Sequence, residues 1–280
     1  MPTNNPLIYL NMKKVLLFIL LFSINSYSQK DLNKKIAAVV DEGKNLYKSE
    51  MASWYGTDLF IEQYKNQENI GGYFSYSEGE NAKCIFFSRG ENPKVIGTII
   101  FDNTYNIKTA KSELEERNFS KNENDLYLIR SKAMNAIKAD TIFKHYNNSN
   151  LNLIPLISNN EKKVYVLTGP TKSGVVIYGN DYLLTFTNEN ELKSTKRLHA
   201  NIIPVNYGDK KNISIAAMHS HLPETGELIT ATDICTTMLY EKFTGWENVY
   251  VMSKEYVSIW NCKTDQLTVM KKEAFDKINK

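Results

Sequence analysis

Four histidines occur in the 280 residues, at His145, His199, His219 and His221, and the last two stand one residue apart. The stretch Met218-His219-Ser220-His221-Leu222-Pro223 closes an apolar run that starts at Ile213, and Thr230-Ala231-Thr232-Asp233 follows it. Alternate side chains of a strand share a face. His219 and His221 therefore converge, on the face of Ile215 and Ala217. Two imidazoles and a carboxylate, with a fourth position open, form the donor set of a catalytic zinc site. A plainer reading stands beside this one, in which the histidines are polar residues closing a strand. Inward imidazoles need partners, and a metal serves both, which favours ligation.

The carboxylate is equally two-sided. Thr230 is a good N-cap and Asp233 falls at the third helical position, as in a capping box. Asp233 thus either ligates or caps, and spacing alone does not separate the two. His199 is a third nitrogen ligand if Asp233 only caps. Its apolar neighbours favour a core histidine instead.

These residues must be positioned by a mixed set of elements. Helical spacing of Ile36, Val39, Val40, Leu46 and Tyr47 predicts an amphipathic helix over 31–48, followed by a turn at Trp54-Tyr55-Gly56. Strands at 72–76, 84–88 and 95–101, separated by Gly, Asn and Pro turns, read as an antiparallel meander. A long helix is expected over 122–146, and Asn147-Asn148-Ser149-Asn150 ends it. Further strands are expected at 151–157, 163–167, 175–178, 182–186, 196–205 and 213–218. The turn Gly179-Asn180-Asp181-Tyr182 needs no explanation beyond a β-turn. Ala231, Ile234, Cys235, Met238 and Leu239 make one buried stripe of a helix over 231–243, with Gly245 as its stop. Strands at 248–252 and 256–260 and a helix at 271–278 complete the chain. This order implies an α+β fold: a mixed or antiparallel sheet with flanking helices. The expected organisation is a targeting segment over 1–28, a smaller α+β region over 29–149 and a second domain over 150–280.

Met12-Lys13-Lys14, the apolar run 15–22 and Ser26-Tyr27-Ser28 form a secretory signal peptide, with Met12 the expected start and Gln29 the first mature residue. The chain is then exported, periplasmic or secreted. The apolar run is too short to span a bilayer comfortably, so no stable membrane span is expected after cleavage. The formal net charge is +3, and loss of Lys13 and Lys14 leaves about +1. That balance argues against nucleic acid as a partner. Cys84, Cys235 and Cys262 allow one disulfide or none. Cys235, on the apolar stripe, reads as a small buried hydrophobe.

The pattern His219-Ser220-His221, then Thr230-Ala231-Thr232-Asp233, resembles the JAMM (JAB or MPN) metalloprotease motif, in which His-x-His-Pro ends a strand and Ser-x-x-Asp opens the next helix. The resemblance covers residues 150–265. It implies a JAMM-like C-terminal domain, Zn2+ held by His219, His221 and Asp233, and hydrolysis of a peptide or isopeptide bond in a peptide or protein substrate. Thr230 takes the place of the family serine that stabilises the oxyanion. The upstream catalytic glutamate maps best to Glu161, which also reads as a solvated turn charge; Glu224 and Glu227 are alternatives. Three departures stand out. Leu222 replaces the proline, Asp233 lies one residue further from His221 than usual, and Glu161 lacks the family's following glycine pattern. The rival reading is a non-catalytic exported binding or structural protein that keeps the fold.

Overall fold

The computed structural model describes residues 6–208 and 214–278, with side chains from Lys30 onward. The side chains of the export segment, and Ile213 of the strand expected over 213–218, lie outside that description. The elements are α1 (Pro6–Gln63), β1 (Ile70–Glu78), β2 (Asn81–Ser88), β3 (Val95–Phe101), β4 (Lys111–Glu113) and α2 (Lys121–Ala139). They continue with β5 (Ser149–Ser158), β6 (Glu161–Pro170), β7 (Val175–Gly179), β8 (Tyr182–Phe186), β9 (Leu192–Arg197), β10 (Ile202–Asn206) and β11 (Ala216–Ser220). The last are α3 (Ala231–Thr244), β12 (Asn248–Met252), β13 (Tyr256–Asn261), β14 (Gln266–Lys271) and α4 (Lys272–Ile278). The fold is α+β, as expected, and among the described residues no helix is long and apolar enough to cross a membrane.

The meander is present as the sheet β1-β2-β3-β4, all antiparallel. A second antiparallel sheet runs β5-β6-β8-β9. The last sheet, β11-β12-β13-β14, is mixed: β11 and β12 pair in parallel, joined by the crossover through α3, and β12, β13 and β14 are antiparallel. A crossover helix is what a parallel pair requires.

Several elements depart from the sequence reading: β4 is an added short strand and β11 begins at Ala216 rather than at residue 213, and three further departures bear on the core and the site. The turn expected at Trp54-Tyr55-Gly56 is helical, because α1 runs on across the first sheet, burying Ala52 and Phe60 against Cys84, Phe86 and Phe101. The helix expected to reach residue 146 stops at Ala139. The Asp140 carboxylate accepts from the Ile142 N–H at 2.9 Å, an Asx-type turn, while Phe143 still enters the core from the loop. The single strand expected over 196–205 is two, β9 and β10, broken at residues 198–201.

The core does not divide at residue 149. Phe74, Ile85, Leu126 and Ile129 pack with Val164, Tyr182 and Leu184 in one cluster. Leu46 of α1 packs with Ala231, Cys235 and Leu239 of α3. Each such apolar side chain stabilises the fold by roughly 1.5–3 kcal/mol relative to exposure. Gly43 marks the closest approach of α1 and α3. A Cβ there would lie 2.7 Å from Ile234 Cβ, so no larger residue fits without moving one helix. Gly43→Ala should therefore lower stability. Overpacking costs about 1–3 kcal/mol, against a helix-propensity gain of about 1 kcal/mol. Thermal denaturation reads the sign; an unchanged or higher midpoint would mean that the contact is soft.

Candidate metal centre

β11 delivers His219 inward from near its C-terminal end, opposite Val251 of β12. Alternation along the strand holds: Ala217 and His219 are buried while Met218 is exposed. Ile215, expected on the inner face, precedes the strand and is exposed. His221 lies one residue past β11, yet its N–H still donates to Met252 O at 2.8 Å, which carries the alternation far enough to bury its ring. α3 brings Asp233 to the same place from its first turn. Thr230 and Asp233 form a complete capping box: Thr230 Oγ1 accepts from the Asp233 N–H and the Asp233 carboxylate accepts from the Thr230 N–H. Such caps are worth ~1 kcal/mol.

Capping and convergence are not alternatives here. Asp233 Oδ2 accepts the Thr230 N–H at 3.0 Å and its hydroxyl at 2.7 Å, and also lies 3.1 Å from His221 Nε2. Oδ1 lies 3.3 Å from His219 Nε2.

His199 completes the group: it is buried with both ring nitrogens hydrogen-bonded, as a core histidine would be, and it also stands among the candidate ligands. Its Nε2 is 3.0 Å from His221 Nε2 and 3.6 Å from Asp233 Oδ2. The break between β9 and β10 puts it there. β7 pairs with β10 and β8 with β9, so residues 175–186 and 192–206 form one long ribbon, interrupted where Asn180 and Asp181 face residues 198–201. The two extra residues on the second arm bulge, and His199 turns into the cluster. The interruption is held by Leu198 N–H to Asp181 O at 2.9 Å and Asn180 N–H to Asn201 O at 3.0 Å. Gly179 makes that approach possible: it sits at φ +79°, and a Cβ would meet Asn201 O at 2.2 Å.

Asp181 is more than a turn residue. It is buried, its Oδ1 lies 2.7 Å from His199 Nδ1, and its Oδ2 accepts from the Thr232 hydroxyl. A carboxylate behind one ring nitrogen fixes which nitrogen faces forward. Here it directs His199 Nε2 at the other three side chains.

His199, His219, His221 and Asp233 are all buried, and one ligand atom from each lies within 4.8 Å of all the others. They are close enough to hold a metal ion. Bonds of about 2.0–2.1 Å in a tetrahedron separate ligand atoms by about 3.3–3.4 Å; four contacts of the group, counted over both Asp233 oxygens, lie at 3.0–3.6 Å, while the full set spans up to 4.8 Å and would draw in around an ion. The donor chemistry fits as well. His219 Nε2 is buried and satisfies no hydrogen-bond geometry, despite its nearness to Asp233. A buried ring nitrogen in that state needs a partner, and a cation at the centre of the group supplies one. Tyr178 lies against the His219 ring, centroids 5.0 Å apart, and is held by a 2.9 Å hydrogen bond with Thr237.

The sequence-nominated glutamates lie elsewhere. Glu161 is largely exposed at the β5–β6 turn and pairs with Lys163 at 2.8 Å. Glu224 is exposed. Glu227 accepts from the Glu255 N–H at 2.9 Å. None of the three belongs to the cluster. Among the described residues the three cysteines are unpaired, and Cys235 is fully buried as its place on α3 predicts. The chain matches no family model, no curated protein and no solved structure.

Electrostatics ties the cluster together. Burial alone would lower the His199 pKa, but the Asp233 and Asp181 carboxylates outweigh it and push it up to about 9. Burial would raise Asp233, but the His199, His219 and His221 imidazoles gathered round it hold it well below the usual carboxylate range. Without metal, the raised His199 pKa contributes stability that is complete below its unfolded value of about 6.5. That contribution is lost as pH climbs through about 9. The melting temperature of chelator-treated protein should therefore fall between neutral pH and pH 10 more steeply in the parent than in His199→Gln. Parallel curves would show that His199 carries no such coupling.

Proposed function

We propose that the cluster is a zinc site and that the chain is an exported zinc protein of JAMM type. The convergence of three buried imidazoles and one carboxylate within 4.8 Å of one another carries this reading. Neutral imidazole and carboxylate form a donor set that suits zinc. The resemblance supports JAMM ancestry through His219, His221, Thr230 and Asp233, set on a strand end and the following helix start. The basic, apolar and small-residue segments over 12–28 support export.

Peptide or isopeptide hydrolysis is the activity that the resemblance attaches to this ligand set. Zinc with one position open to water supplies a nucleophile near neutral pH. In that reading the chain's own residues divide the work. His219, His221 and Asp233 hold the ion, and Asp181 orients His199. The Thr230 hydroxyl, which donates to Asp233 at 2.7 Å, takes the oxyanion-stabilising role that the resemblance implies. The His199–Asp181 pair then handles the proton, the role the family gives to its glutamate.

One observation favours a second reading. His199 Nε2 already stands at ligand distance from His221 and Asp233, and a fourth protein ligand closes a zinc site and makes it structural. The protein is then an exported binding or structural protein that keeps the fold, with zinc fastening β11, α3 and the 198–201 loop together.

Metal analysis by mass spectrometry tests the common ground. The parent should carry about one zinc per chain, and the His219→Ala/His221→Ala variant should carry none. Asp181→Asn should weaken zinc affinity about 10–100-fold. A parent that takes up no metal when zinc is offered contradicts the proposal. Zinc-dependent cleavage of a peptide library, lost in His219→Ala, selects the hydrolytic reading. Full zinc occupancy without cleavage selects the structural one.

A further inference from the structure

A cavity of about 320 Å³ lies between α1, α2 and the β5–β6 hairpin, bounded on one side by Thr236 and Leu239 of α3. It shares no residue with the histidine cluster. Its volume is at the small end of ligand sites, and such sites are marked by a few charged groups aimed into a concave surface. Two charges of opposite sign line this one, Glu50 from α1 and Arg130 from α2.

The protein answers both charges only weakly. Arg130 Nε is buried with no hydrogen-bond partner, and among the described residues no carboxylate lies within the 4.0 Å of an ion pair with it. Its guanidinium, half-buried, sits 5.9 Å from the centroid of the Tyr73 ring, a weak neighbour for a cation. Glu50 receives one long hydrogen bond, 3.4 Å from the Asn152 amide. Burial pushes its carboxyl up to about 7 against the opposing pull of Asn152 and Arg130. The residues around them are already committed: Ser49 donates to Ser75 O at 2.8 Å, and Ser53 shares a 2.7 Å hydrogen bond with the Ser75 hydroxyl. A structural ion pair would bring the two charges together. Here they face one cavity without closing on each other, which suits a guest that is negative at one end and positive at the other.

We propose that this cavity binds a small zwitterion, the size of a free amino acid or dipeptide, with its carboxylate on the Arg130 guanidinium and its ammonium on Glu50. Calorimetric titration of the full chain tests it with three probes: glycylglycine, N-acetylglycine, which lacks the ammonium, and glycinamide, which lacks the carboxylate. Glycylglycine should bind saturably, and each of the other two at least about tenfold more weakly, since a charged hydrogen bond is worth roughly 1.5–3 kcal/mol. Arg130→Met and Glu50→Gln should each weaken glycylglycine by a similar factor while retaining the parent's circular dichroism. Absence of saturable glycylglycine binding in the parent up to about 10 mM overturns the proposal. So does equal affinity for the three probes, a result that needs no variant to fold.

Discussion

The Asp233 carboxylate is the constraint on which the rest depends. It is buried, and burial of an isolated carboxylate is prohibitively unfavourable unless it is paired and hydrogen-bonded. The fold surrounds it completely: the Thr230 amide and hydroxyl on one side, and His219, His221 and His199 on the other. These come from three parts of the chain, so one buried charge ties together the start of α3, the end of β11 and the loop between β9 and β10. The α1–α3 contact at Gly43 and Ile234 then sets where that charge sits relative to the rest of the core.

The same arrangement explains why the residues suit a cation. Three imidazoles gathered around one carboxylate crowd their ring nitrogens together. In the metal-free chain a proton on His199 relieves only part of that crowding, because His219 Nε2 stays without a hydrogen bond. A divalent ion at the centre would give all four side chains a common partner. The outer support is also built in: Asp181 behind His199, Thr232 on Asp181, and Tyr178 against the His219 ring. Such surrounding contacts are what hold ligands in place before an ion arrives.

The local part of this site was legible in the sequence. Period-two alternation paired His219 with His221, and the Thr-x-x-Asp pattern placed Asp233 in a helix cap; both are short-range features that survive any tertiary context. The strand–helix–strand order around α3 and the antiparallel meander followed from turn residues and periodicity in the same way. His199 could be weighed only as an alternative ligand and Asp181 was not legible at all, because only the pairing of β7 with β10 and of β8 with β9 brings them together. Residues 196–205 carry an unbroken strand-like pattern, and the two-residue mismatch that breaks it is a property of the register. Asp181 looked like any aspartate in a turn. The closest available signal was scarcity, since His199 is one of only four histidines. The continuation of α1 through Gly56 was hidden for a related reason: its stability comes from packing on β2 and β3 rather than from helix propensity.

X-ray absorption at the zinc edge on the zinc-loaded chain tests the central claim most directly. The account predicts a shell of nitrogen and oxygen neighbours at about 2.0–2.1 Å with the multiple-scattering signature of imidazole, reduced by two rings in the His219→Ala/His221→Ala variant. A zinc shell without imidazole, or one unchanged by that double substitution, would place the metal elsewhere and contradict the account.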